Sequence, residues 1–398
     1  MYVSLVMTEY MSYVIVILTF VVLIAYLHTK YKYGFWMDLP VFHEYDWKYK
    51  LYPPGILNHT LPEKDKYTNF KNIQTRVYSE LSDLSIQQFL HFIKLTNGPH
   101  SFMPKVNNIT PYFIGHNAKT FISVYNRDVL LIDKNQNSPI RDSKILGTIS
   151  SRPIHIIINN GDANAVFDAY YIDHLHFENN AILPELLKTH MYNQCQLNHK
   201  VRINIFKQHG QLLAGIVPVC KSKIYEFSVD KWTKPIDLDL MYNIVEINSQ
   251  NSHLLYEFIK ENSSKFDIVV NSDISNILGL IKSKNLFIYT VVYKDEIICA
   301  YFFKKTCLFK NKELEILSLI GSIQNCDNDV FIRAFKICFW KIAADNYMGH
   351  AMVENVSHNN IIIDNLCLKT QPQIKTDFAY YFYNFAYNPF NSNKVFIL

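Results

Sequence analysis

The sequence predicts an α/β (α+β) chain: two tandem α/β halves of one kind, preceded by a single N-terminal transmembrane helix. Three observations carry this reading. An uncharged apolar stretch runs from Tyr10 to Leu27. Beyond it, strands, one long helix and then a strand are written twice in the same order. The 398 residues, 49% hydrophobic and 19% charged, suffice for two ordinary domains around a sizeable core.

The apolar stretch takes its body from Val14, Ile15, Val16, Ile17 and Leu18 and from Val21, Val22, Leu23, Ile24 and Ala25. It sits near the lower limit of about 17–25 residues for a bilayer span. Tyr10, Tyr13 and Tyr26 stand where interfacial rings belong. The first ten residues lack Lys and Arg and no small-x-small site follows, which argues against a cleaved secretory signal. Lys30 and Lys32 follow the stretch, so the positive-inside rule places the N-terminus outside and the large domain in the cytosol. On this orientation the Asn-x-Ser/Thr triplets at Asn58, Asn108, Asn262 and Asn355 carry no sugar.

Residues 1–29 are thus read as the anchor and 30–75 as an irregular lead-in interrupted by Pro40, Pro53, Pro54 and Gly55. Next come a helix over 83–93 and strands over 120–124, 129–132, 144–151, 154–158 and 169–177. A helix over 183–194 and a strand over 201–206 complete the first half, residues 76–235. In the second half, residues 236–398, strands over 286–293 and 296–303 form a hairpin turned by Lys294 and Asp295. A strand over 314–320, a helix over 331–346, a strand over 351–356, a helix over 359–368 and a strand over 378–385 follow.

The charge balance of +4, without any Lys/Arg run, excludes nucleic acid as a partner. Cys195, Cys220, Cys299, Cys307, Cys326, Cys338 and Cys367 are scattered and odd in number, which favours reduced, buried thiols over a disulfide framework or zinc. His174 and His176 share one face of a strand but have no third ligand at a usual spacing, so no metal is expected. The abundance of Asn, Ile, Lys and Tyr fits an AT-rich genome such as that of a large DNA virus.

Several segments in fixed order resemble the protein N-myristoyltransferases. Residues 144–154, Lys-Ile-Leu-Gly-Thr-Ile-Ser-Ser-Arg-Pro-Ile, resemble the family's "k-L-v-G-F-I-S-a-i-P". Phe35-Trp36-Met37-Asp38-Leu39-Pro40-Val41 resembles "F-W-x-x-Q-P-V", and residues 169–184 run without a gap against "N-F-L-C-V-H-K-K-L-R-S-K-R-L-A-P". Residues 359–368 resemble "D-N-x-x-F-L-x-x-L-K-F", residues 380–385 resemble "Y-Y-L-Y-N-W", and the apolar Val395-Phe396-Ile397-Leu398 resembles the family's last residues.

The resemblance implies two tandem GNAT-like (acyl-CoA N-acyltransferase) halves in one saddle-shaped sheet, the first for acyl-CoA and the second for a peptide. It implies transfer of a fatty acyl group, myristoyl in this family, from acyl-CoA as co-substrate to an N-terminal glycine amine. No permanently bound cofactor is implied. The backbone of Tyr170 and Tyr171 would stabilise the oxyanion, and the C-terminal carboxylate of Leu398 would take the proton. From their sequence surroundings alone, the two tyrosines read as part of a half-buried strand. Phe35 and Trp36 would meet the CoA moiety, although an aromatic pair behind a membrane helix also suits an interfacial anchor. The phosphate-binding turn would be Asn179, Asn180, Ala181 and Ile182, with Lys188 the one basic residue kept nearby. There the family's "R-S-K-R-L-A" becomes Glu178-Asn179-Asn180-Ala181-Ile182-Leu183, which loses three cations. This departure leaves open a catalytically inactive relative with a structural or binding role.

Overall fold

The computed structural model describes residues 2–51, 55–97, 101–132, 139–160, 163–230, 232–310, 314–346 and 348–398; Pro53 and Pro54 lie outside them. Helix α1 (Tyr2–Tyr33) outruns the apolar stretch at both ends. Its span Tyr10–Tyr31 has a mean hydropathy of 2.4, and none of it is buried. By length and composition it is, among the described residues, the one helix able to cross a membrane.

The lead-in is less irregular than its prolines suggest: α2 (Trp47–Leu51), β1 (Gly55–Ile56) and β2 (Ile73–Val77) lie in or across it. After α3 (Asp83–Thr96) and the single turn α4 (Val106–Ile109), three long strands follow: β3 (Phe121–Ile132), β4 (Pro139–Asn160) and β5 (Ala163–Phe177). Then come α5 (Leu183–Leu197), β6 (Asn204–His209), β7 (Cys220–Ser228), β8 (Tyr242–Glu246), α6 (Ser252–Asn262), β9 (Ile268–Asn271) and α7 (Ile274–Lys282). The second run of long strands is β10 (Leu286–Tyr293), β11 (Glu296–Lys310) and β12 (Leu314–Gln324). The chain continues through α8 (Asn328–Asn346), β13 (Met348–Glu354), α9 (Asn359–Lys369), β14 (Ile374–Tyr383), β15 (Phe385–Ala386) and β16 (Val395–Ile397).

All but β1 and β15 join one mixed sheet of 14 strands, in the order β16-β9-β4-β5-β6-β14-β7-β13-β12-β11-β10-β8, with β3 on β4 and β2 on β3. The repeat is plain in the topology. Antiparallel β3, β4 and β5 lead through α5 to β6, which lies parallel to β5. Antiparallel β10, β11 and β12 lead through α8 to β13, which lies parallel to β12. Both crossover helices bury one stripe. Leu186, Leu187, His190, Met191, Gln194 and Cys195 face inward from α5, as Phe331, Phe335, Cys338, Phe339 and Ile342 do from α8.

Two expected strand breaks are absent, each for a local reason. Residues 120–124 and 129–132 are one strand, because a register shift between Tyr125 and Asn126 absorbs the irregularity. Residues 144–151 and 154–158 are also one strand, running through Pro153. On that edge of β4, pairing with β3 ends at Ser151 and pairing with β9 starts at His155, so the missing N–H of Pro153 falls in the gap between partners. The hairpin at Lys294 and Asp295 is as expected, with φ of +50° and +65° giving the primed turn that suits right-twisted strands.

The last strand is fastened from two sides. β16 runs parallel to β9, and Leu398 N–H donates to Val270 O at 2.8 Å. Phe396 packs against Phe302 and Phe266, with ring centroids at 5.1 and 5.5 Å, and its ring lies where a Cβ on Gly321 would stand 3.3 Å away. Near this edge, the Asp273 carboxylate receives His155 Nε2 at 3.1 Å and His116 Nδ1 at 3.3 Å, and His155 Nδ1 meets Asp168 at 2.7 Å. Burial disfavours charge on His155, but the carboxylates of Asp273 and Asp168 outweigh it and its pKa is raised.

Two outcomes are expected. Phe396→Ala should cost about 3–5 kcal/mol, read as a lower urea midpoint at unchanged slope. The raised pKa of His155 means its stabilisation is fully present below the unfolded value near 6.5 and is lost as pH rises through the folded value. Between pH 6 and 8 the protein should therefore lose more Tm than His155→Gln does; parallel melting curves would exclude this link.

Candidate functional site

The site begins where two parallel strands part. β5 and β6 pair only over residues 170–172 against 204–206. β5 then bulges against β4: Thr148 opposes His176 and Ser150 opposes Asp173, so the one residue between them on β4 faces two on β5. His174 holds φ +51°, a conformation unfavourable for a side chain of its size. The Thr148 and Ser150 hydroxyls donate to the carbonyls of His174 and Asp173 at 3.2 and 3.0 Å. β6, on its other edge, stays paired with β14.

The parted strands open a cavity of about 950 Å³, lined by residues 173–177 of β5 and 207–209 of β6. Its walls also take Trp36, Tyr171, Asn180, Lys304, Ser318, Glu354 and Leu398. Charge inside it is mostly paired. Arg152 donates from Nε to Asp173 at 3.0 Å and from Nη1 to the Ser272 hydroxyl at 2.6 Å. Burial would raise the Asp173 pKa, but the Arg152 guanidinium holds it below the ordinary carboxylate value. Lys207 meets Glu354 at 2.6 Å and sits over the Phe378 ring at 4.3 Å. Burial lowers the pKa of Lys207 in spite of Glu354. His174, His176 and His209 all have lowered pKa values through burial, the last two to about 4, so neutral imidazoles line this wall at pH 7.

Of the residues singled out in the sequence, Leu398, Tyr171, Trp36 and Asn180 meet at this cavity. Trp36 stacks on Phe206 at 6.0 Å, while Phe35 packs edge-on to Tyr67 at 5.4 Å. Both rings are half-buried against the domain. Tyr170 and Tyr171 are likewise buried rather than half-buried. The Tyr170 hydroxyl donates to Lys119 O, and its N–H donates to Ile203 O at 2.9 Å, so the strand ladder already uses that donor.

The turn at 179–182 is occupied with itself. Asn179 caps it, accepting Ala181 N–H on its side chain at 3.0 Å and Ile182 N–H on its carbonyl at 3.0 Å. Lys188 is drawn away to Asp65 at 3.1 Å, and Glu178 is neutralised by Lys144 at 2.9 Å. His174 and His176 have ring centroids 6.3 Å apart, and no group of three metal-ligating side chains occurs among the described residues. All seven cysteines are free, and Cys367 is exposed and Cys326 half-buried where buried thiols were expected.

Sequence reasoning missed Arg152, Lys207, Lys304 and Glu354 as site residues. Arg152 does stand out as a charge inside the apolar run from Ile145 to Ile158, and that was the usable signal.

No protein-family model matches the sequence, and no curated protein matches it. Solved structures do match. Saccharomyces cerevisiae N-myristoyltransferase with bound myristoyl-CoA superimposes at a TM-score of 0.67 and 13% identity, over 91% of this chain and 94% of that one. A structure of the same yeast enzyme with myristoyl-CoA and inhibitors gives 0.68 and 13% identity, over 92% and 93%. A tandem GNAT protein from the clavulanic acid biosynthesis pathway gives 0.50 and 9% identity, over 78% of this chain and 98% of that one. The paired α/β units, their merger into one sheet and the likeness to these structures make this a divergent N-myristoyltransferase-like fold of two tandem GNAT-like halves.

Proposed function

We propose that the protein is an N-acyltransferase that moves a fatty acyl group, myristoyl in the simplest case, from acyl-CoA to an N-terminal glycine amine. The observation that carries the reading is the presence of Leu398 in the same cavity wall as Trp36, Tyr171 and Asn180. In the reaction the amine attacks the thioester carbonyl, a C–N bond forms, the C–S bond breaks and CoA leaves as the thiol. The amine must first give up a proton, and the oxyanion needs donors. A chain ending at Leu398 brings its α-carboxylate to that place. Such a group has a pKa of about 3.3–3.7 in water, and here it follows the buried apolar residues Val395, Phe396 and Ile397. Because Tyr170 N–H is engaged by Ile203 and Tyr171 lies in register with Arg152 of β4, backbone donors along the bulge after Asp173 are the better candidates for the oxyanion.

In this reading Trp36 and Asn180 touch the acyl-CoA, while Phe35, Asn179, Ala181 and Ile182 hold their surroundings in shape. Lys188, paired with Asp65, has no part in it. Helix α1 anchors the domain on the cytosolic side of a membrane, where a product with one acyl chain, itself a marginal anchor, is retained.

A second reading is supported by the turn at 179–182: its donors serve Asn179 and its cations are gone, as in a relative that keeps the fold without the transfer. One experiment separates the two. With the full chain in lipid nanodiscs, CoA release from myristoyl-CoA and glycine-started peptides is followed beside calorimetric binding of myristoyl-CoA. Turnover that falls at least about 100-fold on deleting Leu398, with myristoyl-CoA binding kept, is expected. Folded protein without turnover on any acyl-CoA would establish the second reading.

A further inference from the structure

Counting side chains alone, the cavity holds one cation more than its acids balance. Arg152 is paired with Asp173, and Lys207 with Glu354. Lys304, on β11, lines the same cavity with no acid within 4.0 Å among the described residues. Its Nζ lies over the Tyr112 ring at 4.8 Å. Directly across the strand pair from Lys304 stands Ser318 of β12, so both side chains rise from the same face. Ser318 is 2% exposed, lines the cavity, and its hydroxyl has no hydrogen-bond partner. The hydroxyl of Tyr112, a third lining residue, is also buried without a partner. Buried hydroxyls are rarely left without a protein or water partner, and three such polar groups around one space suit a polar ligand group.

The chemistry of that group follows from the three. An ammonium offers only donors, and both hydroxyls can donate. Their joint complement is an anion with several acceptor lone pairs; a neutral amide would leave Lys304 uncompensated, and a cation would be repelled. We propose that Lys304, Ser318 and Tyr112 form a subsite for a carboxylate carried by the acceptor, close to its reacting amine. The proposal rests on the acyltransferase reading for the word acceptor, but the subsite itself does not. It makes the favoured acceptor an acidic peptide, with Asp or Glu soon after the terminal glycine. Burial already lowers the pKa of Lys304, and a bound carboxylate would hold it charged.

The test uses the full chain in nanodiscs and pairs of glycine-started peptides, with Asp or Glu against Asn or Gln at each of the next four positions. Calorimetric binding and CoA release are read separately. In at least one position the acidic peptide should bind about tenfold more tightly than its amide. Lys304→Met should abolish that preference, and Ser318→Ala, a nearly isosteric change at a buried hydroxyl, should weaken it. Equal binding of every acid and amide pair, or a preference that survives Lys304→Met, would overturn the subsite. A Lys304→Met loss falling equally on acidic and amide peptides would assign the lysine to the Leu398 carboxylate. Weakened myristoyl-CoA binding with peptide preference intact would assign it to a CoA phosphate. Either result overturns the proposal. Lys304-dependent preference in binding without turnover would uphold the subsite and refute the acyltransferase reading alone.

Discussion

Two neighbouring strands that separate leave polar groups facing one another across a gap, and a protein interior tolerates this only where they are paired or the gap is wet. β5 and β6 part after three residue pairs, and the site is built from the consequences. The bulge at His174 turns β5 away, with two hydroxyls from β4 meeting the carbonyls it releases. β6 keeps its place in the sheet because β14, from the far end of the chain, holds its other edge. A cavity bounded by one bulged strand, still paired with β4, and one regular strand results.

Charge is set into the wall of that cavity in matched sets. Two ion pairs stand in its wall, and each has desolvated partners that would be costly to break singly. They are tied to different elements: Arg152 joins β4 to β5 and to the segment before α7, while Lys207 joins β6 to β13. The pairs therefore brace the fork on both sides, which keeps its width fixed while β5 and β6 share no ladder there. The adjoining aromatic rings of Tyr171, Phe378 and Tyr380 lie against the same cations and exclude water from them.

The long strands and both crossover helices were legible because their buried faces are apolar at a regular period. β7 was not, for a specific reason. Its inward residues include Cys220, Ser222 and Glu226, while Lys221 and Lys223 point outward, so the alternation exists in burial but hardly in hydrophobicity. α6 and α7 carry a helical stripe, Leu255, Phe258 and Ile259 in one and Ile277 and Leu280 in the other, but span only 11 and 9 residues. In the site, Leu398, Trp36 and Asn180 were found through the resemblance. The ion pairs were not: Lys207 and Glu354 are 147 residues apart, and no local pattern announces such a meeting. Lys304 follows an apolar run directly, which reads in sequence as a strand leaving the core when it in fact enters a cavity.

The sheet order has a bearing on how the molecule holds together. Although the chain repeats one unit, the strands are not sorted by repeat. β9 sits against β4 of the first unit, β14 sits between β6 and β7, and β7 pairs with β13 of the second. Within the stretch between β7 and β8, Ile236 and Leu240 face solvent. Cleavage there would sever the covalent link yet leave the two pieces interlocked along five strand boundaries, four in the main sheet and β1 with β15. Neither piece alone could cover its open edges, so each would aggregate or seek the other. The duplicated unit has thus become a single molecule in two complementary fragments, and shuffling one repeat as a free module is closed to it.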